Sequence, residues 1–232
     1  MVRFQPNELY RVALTAEEEV ELIHYDIMLK RTILQMIYTA NSGHPGGSLS
    51  CSQILTSLYR KVLHQSAQDP ENPLRDRFIL SKGHAAPALY AILTKEGYLT
   101  EAQLTTFRQF GSPLQGHPKR NVKLGIEAST GSLGMGATMA VGCALTAKLD
   151  QHRWYTYCLL GDGECDEGVV WEAAMAAAHY ALDNLVYIID RNAIQLDGAT
   201  EKTLSIEPFA AKWEAFGWHV IEVDGTSLRE LS

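Results

Sequence analysis

Nine residues carry the densest chemical signal in the chain: Leu160-Gly-Asp-Gly-Glu-Cys-Asp-Glu-Gly168, set between an apolar run and an alanine-rich one. Thirty positions past Asp162 comes Asn192, within Asp190-Arg-Asn-Ala-Ile194 at the end of the next apolar run. In a parallel β-α-β unit the ends of successive strands are neighbours, however far apart they lie in sequence. Asp162 then offers a carboxylate, Asn192 an amide oxygen, and a carbonyl in the 192–194 turn a third oxygen. Three hard oxygens leave room for water and phosphate oxygens around a small octahedral cation, which suits Mg²⁺. Gly161 and Gly163 have no side chain where a diphosphate would approach the backbone. The helix after Gly168 adds free amides and a positive dipole end. Gly-Asp-Gly alone marks no more than a tight turn, and it is the paired Asn192 that makes it a ligand set.

Two further groups point the same way. Three of the eight histidines, His44, His84 and His117, sit in Gly-His contexts within turn-rich loops, two of them as Gly-His-Pro. Such imidazoles can hydrogen-bond hydroxyls and phosphates and move protons near neutral pH. No His-x-x-His or His-x-His spacing supports a zinc site. The stretch Glu127-Ala-Ser-Thr-Gly-Ser-Leu-Gly-Met-Gly136 does not follow a strand as a dinucleotide-binding loop would. It suits a loop that presents Gly131 and its backbone to a planar heterocycle, with Leu133 against the ring and Gly136 as a packing residue.

The elements between these loops must bring them together. Thr15-Ala-Glu-Glu18 is a capping box; behind it Ile23, Ile27, Leu34 and Ile37 mark one apolar face of a long helix. Helices are expected over 50–63, 85–95, 100–110, 169–181 and 208–216. Strands are expected over 77–81, 154–160, 185–189 and 218–223. Residues 65–76 form a surface loop, and small residues in 131–147 permit close helix packing. Strands alternating with helices imply a parallel α/β sheet covered on both faces, with ligands at the carboxyl ends of its strands.

Composition narrows the class. The chain has 232 residues, of which 46% are apolar and 20% charged, so a substantial core is expected rather than disorder. A net charge of −7 speaks against a nucleic-acid or anionic-membrane surface. No apolar run is long enough to span a bilayer, and no signal region follows Met1. Cys51, Cys143, Cys158 and Cys165 lie far apart, with no C-x-x-C pair, as in a cytoplasmic protein with reduced thiols.

Together these residues resemble the thiamine-diphosphate enzymes, and within them transketolase. Gly161-Asp-Gly through Asn192 is similar to the thiamine-diphosphate signature. Asn-Ser-Gly-His-Pro-Gly at 41–46, Leu-Ser-Lys-Gly-His at 80–84, Gly-His-Pro at 116–118 and Thr-Gly-Ser-Leu-Gly at 130–134 resemble transketolase motifs in transketolase order. Almost the whole chain is covered, but only by the amino-terminal, diphosphate-binding (PP-type) domain of that family.

The resemblance implies a thiamine-diphosphate fold over residues 1–232, a single domain with a helical amino-terminal segment. It implies Mg²⁺ on Asp162, Asn192 and the Ile194 carbonyl, with Ca²⁺ or Mn²⁺ able to take its place. His84, Gly161 and Gly163 would face the diphosphate, Gly131 and Leu133 the aminopyrimidine, and His44 and His117 the sugar hydroxyls as catalytic groups. Glu167 and Glu172 match acids near a subunit interface. Ser132 stands where relatives have proline, and Lys82 where they often have asparagine, a change expected to bear on phosphate or sugar preference.

No pyrimidine-binding domain fits in this length, and the chain stops where relatives add a strand and another histidine-bearing loop. The expectation is therefore one half of a split transketolase, an α2β2 assembly of the pentose-phosphate type. A separate carboxyl-terminal subunit would supply the activating glutamate, and the pair would transfer a ketol unit between sugar phosphates. The competing readings are the alpha subunit of a 2-oxo acid dehydrogenase, which leaves the three histidine loops unexplained, and a cofactor-binding regulatory protein without chemistry.

Overall fold

The computed structural model describes residues 14–195 and 198–232; the first residues, scanned above for a signal region, lie outside them. Helix α1 (Ala16–Ala40) starts where Thr15 accepts from the Glu18 amide while the Glu18 carboxylate accepts from the Thr15 amide. This reciprocal cap stabilises the first turn by about 1 kcal/mol. The face turned to the core carries Leu22, Leu29, Ile33 and Met36. This corrects the expected face: Ile23, Ile27 and Leu34 are roughly half exposed, and of that set only Ile37 packs on the core. The helix carries two adjacent apolar stripes, each at helical spacing, and periodicity alone does not choose between them.

Helix α2 (Ser52–Ser57) continues as a single π turn over Leu58–Val62, so the expected 50–63 helix is present but not uniform. Strand β1 (Arg77–Leu80) precedes α3 (Ala86–Lys95), which is buried almost throughout. The expected 100–110 helix shrinks to Glu101–Leu104. Arg108 adopts φ +62° and its amide bonds the Leu114 carbonyl, turning the chain back on itself. After α4 (Met135–Leu149) come β2 (Thr156–Gly161), α5 (Gly168–His179), β3 (Leu185–Asp190), α6 (Phe209–Ala215) and the short α7 (Leu228–Leu231).

The three strands form a parallel sheet in the order β1-β2-β3, with Leu80 opposite Leu159 and Gly161 opposite Asp190. The alternation of a pleated strand divides the core. Phe78, Leu80 and Leu159 pack with α1, α2 and α3, whereas Ile79, Cys158 and Leu160 pack with α4, α5 and α6. Both faces are covered, as the continuous apolar strands require. On the second face Ala137, Ala140, Ala144 and Ala147 of α4 are buried, their small side chains allowing the helix close to the sheet.

Residues 218–223 are not a strand. Trp218 anchors this stretch by stacking on Tyr187, ring centroids 4.6 Å apart, and by donating its indole N–H to the Ala174 carbonyl. Beyond it Ile221 is 61% exposed, and no ladder partner is found among the described residues. Strand propensity without a partner for its backbone groups does not make a strand.

Candidate functional site

The three strands end side by side, and the chemical residues lie at those ends. After β1 the chain passes through Ser81, Lys82, Gly83 and His84 into α3; after β2 through Asp162 and Gly163 into a 3₁₀ turn, Gly163–Asp166; after β3 into the 191–194 turn. A fourth loop, 117–134, comes in over β1, where the Thr130 hydroxyl donates to the Leu80 carbonyl at 2.6 Å.

Asp162 is the hinge between the second and third strand ends. Only 2% exposed, its Oδ1 accepts from the Gly163 amide at 2.9 Å and its Oδ2 from the Ala193 amide at 2.8 Å, with the Thr200 hydroxyl 3.3 Å away. The carboxylate is thereby tied to the turn that holds Asn192. Ala193 takes a left-handed φ of +59°, and the Asn192 Oδ1 accepts from the Ile194 amide at 3.0 Å. The turn is thus braced by the same amide oxygen that was expected to face a cation.

Among the described residues no group of three His, Cys, Asp or Glu side chains could hold a metal by itself. One carboxylate with an amide and a carbonyl is a weakly charged, all-oxygen donor set. It fits a hard cation that brings an anionic ligand of its own, as a diphosphate would. A Cβ built on Gly161 would come no closer than 3.9 Å to any neighbour, so this glycine leaves a methyl-sized space at the strand end. Gln195 packs against Gly163, its NH₂ donating to the Gly163 carbonyl at 3.5 Å, and among the described residues its buried Oε1 has no hydrogen-bond partner.

The histidines gather opposite. His44 and His84 meet edge to face with ring centroids 5.8 Å apart. A Cβ on Gly131, whose φ is +144°, would lie 2.9 Å from the His117 ring, so this loop position requires glycine. A Cβ on Gly83 would lie 2.8 Å from the Gly131 amide, which presses the His84 loop onto the Gly131 loop. Burial first, then Lys82 and the imidazoles of His44 and His117, pushes the His84 pKa down to about 4. His44 is lowered by burial and by Arg108 and His117. His84 therefore stands neutral at physiological pH, able to donate from one ring nitrogen and accept at the other. His44 and His117 are exposed and Leu133 half-buried, all open to a molecule entering from solvent.

Glu164 and Arg108 escaped the sequence reading, and Lys82 sits where that reading did not place it. Lys82 is fully buried, its Nζ 2.5 Å from the Asp190 Oδ2, which also accepts from the Ser50 hydroxyl at 2.6 Å. The ammonium is held by the end of β3 and is not presented to solvent. Glu164 is 3% exposed and binds three separate loops. Arg108 donates to the Ser42 hydroxyl at 3.0 Å, bracing the loop that carries His44. Asp190, closing the apolar run Leu185–Ile189, could have been noticed as an acid at a strand end. Nothing in sequence separates buried Glu164 from exposed Glu167 three positions on.

The chain matches the family described as "Transketolase, thiamine diphosphate binding domain" over residues 27–232. It is 44% identical over 202 residues to one of the subunits named for the apulose-4-phosphate transketolase of Phocaeicola vulgatus, covering 87% of this chain and 72% of that one. It is 41% identical over 216 residues to the 6-deoxy-6-sulfo-D-fructose transketolase subunit SqwG of Clostridium sp. MSTE9, covering 93% and 78%. The transketolase of Campylobacter jejuni superposes with a TM-score of 0.84 at 35% identity, over 90% of this chain and 34% of that one. The chain thus spans about a third of the length of that solved transketolase. These matches favour transketolase over the alpha subunit of a 2-oxo acid dehydrogenase.

Proposed function

This chain belongs to the transketolase family, and from that premise we propose that it is the amino-terminal, diphosphate-binding subunit of a split transketolase. With a carboxyl-terminal subunit it transfers a two-carbon ketol unit from a ketose phosphate to an aldose phosphate. The observation that carries this reading is the convergence of His84, the Gly131 loop, Asp162 and the 192–194 turn at three adjacent strand ends. Two relatives named as separate transketolase subunits support the division into two chains.

When bound, thiamine diphosphate supplies a carbon nucleophile that doubles as an electron sink. Asp162, Asn192 and the Ile194 carbonyl hold Mg²⁺, and Gly161 and Gly163 give the diphosphate access to the backbone. Neutral His84 hydrogen-bonds the diphosphate without adding charge. Gly131 and Leu133 face the aminopyrimidine. His44 and His117, exposed on the open side, exchange protons with the hydroxyls of donor and acceptor sugars. The partner subunit contributes the glutamate that activates the cofactor, so this chain alone is inert.

Several exposed side chains support an assembly larger than one chain. Met135, Met139 and Met175 on α4 and α5 are 37–50% exposed, and Glu167 and Glu172 are exposed at the start of α5. Apolar side chains beside acids suit an interface of the α2β2 kind. Among the described residues no helix is long and apolar enough to cross a membrane, and the four cysteines are free, which supports a cytoplasmic location. The test is reconstitution: turnover of a ketose phosphate with an aldose phosphate acceptor appears only when both subunits, thiamine diphosphate and Mg²⁺ are present. Decarboxylation of pyruvate in place of ketol transfer would overturn the assignment.

A further inference from the structure

Glu164 is buried, acidic and outside every role assigned above. Its Oε1 accepts from the Gly134 amide at 2.8 Å and from the Ser81 hydroxyl, and its Oε2 accepts from the Gly161 amide at 3.1 Å. Ser81 leads into the His84 loop, Gly134 closes the loop of Gly131 and Leu133, and Gly161 opens the Asp162 loop. One carboxylate thus joins all three. The loops also touch each other without slack around it. A Cβ on Gly136 would sit 2.5 Å from the Ser81 hydroxyl, and one on Gly83 2.8 Å from the Gly131 amide.

We propose that Glu164 is a positioning residue that sets the separation between the diphosphate end and the aminopyrimidine end of the cofactor site. This rests on the cofactor assignment above and adds to it the residue that holds the two halves of the site in register. The chemistry demands an acid at this place. All three of its neighbours donate, and an ionised carboxylate only accepts, so every donor is answered. A glutamine here has one acceptor oxygen, and its NH₂ would face a backbone N–H or the serine hydroxyl. Such a group gains nothing from binding diphosphate alone, because a diphosphate touches only one side of the clamp.

The test compares wild type with Glu164→Gln in two measurements. Amide exchange followed by NMR should show the Gly134 and Gly161 amides exchanging about tenfold faster or more in the variant. Core amides such as Leu159 should keep their wild-type protection. Calorimetric titration with Mg²⁺ present should show the Kd for thiamine diphosphate weakened about tenfold, and the Kd for inorganic diphosphate changed less than about twofold. Unchanged protection of both glycine amides, or equal losses for the two ligands, would overturn the proposal. If wild type mixed with its carboxyl-terminal partner binds neither ligand, the cofactor assignment fails, and the exchange measurement still decides whether the clamp exists. Should Glu164→Gln not fold, Ser81→Ala removes one arm only. It should weaken thiamine diphosphate severalfold relative to inorganic diphosphate, and no difference between the two would count against the clamp.

Discussion

The Lys82 ammonium lies 2.5 Å from the Asp190 carboxylate, and both are buried where β1 and β3 end on either side of β2. A strand that separates two loops in the sheet is bridged by this pair above its carboxyl end. Burial first, and then this positive charge beside it, keeps the His84 imidazole neutral. Losing one partner of a buried pair leaves the other uncompensated, so Lys82→Met is expected to cost about 3 kcal/mol or more of folding stability. The double variant Lys82→Met/Asp190→Asn should recover much of that loss. Urea denaturation measures both; a double variant no more stable than the single one would contradict this account of the pair.

His84 should carry a pH signature. Its pKa in the folded chain, about 4, lies below the ordinary histidine value of 6.5. The unfolded chain therefore binds more protons between those values. The contribution of His84 to stability is complete above about pH 6.5 and is lost as pH falls toward 4. Urea unfolding across this window should show a shallower pH dependence for His84→Asn than for wild type. Equal slopes would mean that His84 titrates as a solvated imidazole.

Gly131 joins backbone conformation to catalytic geometry. At φ +144° with His117 against it, an added methyl group meets both a disfavoured backbone and the imidazole. Gly131→Ala should cost about 1–3 kcal/mol and shift the His117 ring resonances in a proton NMR spectrum. Unchanged His117 signals would show that Gly131 and the His117 ring are not in contact.

Asp162 is expected to decide metal-dependent binding. Thiamine diphosphate with Mg²⁺ should raise the melting temperature of wild type and leave Asp162→Ala unmoved, by thermal shift. An equal rise in both would remove Asp162 from the metal site.

Much of the site was legible before any coordinates, and the reason is local. Glycine at a close approach, and an acid or amide at a strand end, are demands that a few adjacent residues satisfy. Gly161, Asp162 and Asn192 could therefore be placed from their spacing alone. What depended on packing between distant segments was not legible. Lys82 and Asp190 are 108 positions apart and Ser81 and Glu164 are 83, and no sequence window holds both members. The α1 face was misread for a related reason: Ile23 and Leu22 belong to equally periodic stripes, and only packing in space selects the buried one, Leu228 against Leu22 and α3 against Leu29 and Ile33. The stretch after Trp218 has strand-forming residues, but pairing is a property of two segments.

The central claim is that this active site is completed by a second chain. The most direct measurement is ketol transfer from a ketose phosphate to an aldose phosphate, with thiamine diphosphate and Mg²⁺ at saturation. It would be assayed for this chain by itself, for its carboxyl-terminal partner by itself, and for the two mixed. The account predicts no turnover from either one and transfer from the mixture that disappears with Asp162→Ala. Full-rate transfer by this chain without its partner would contradict it.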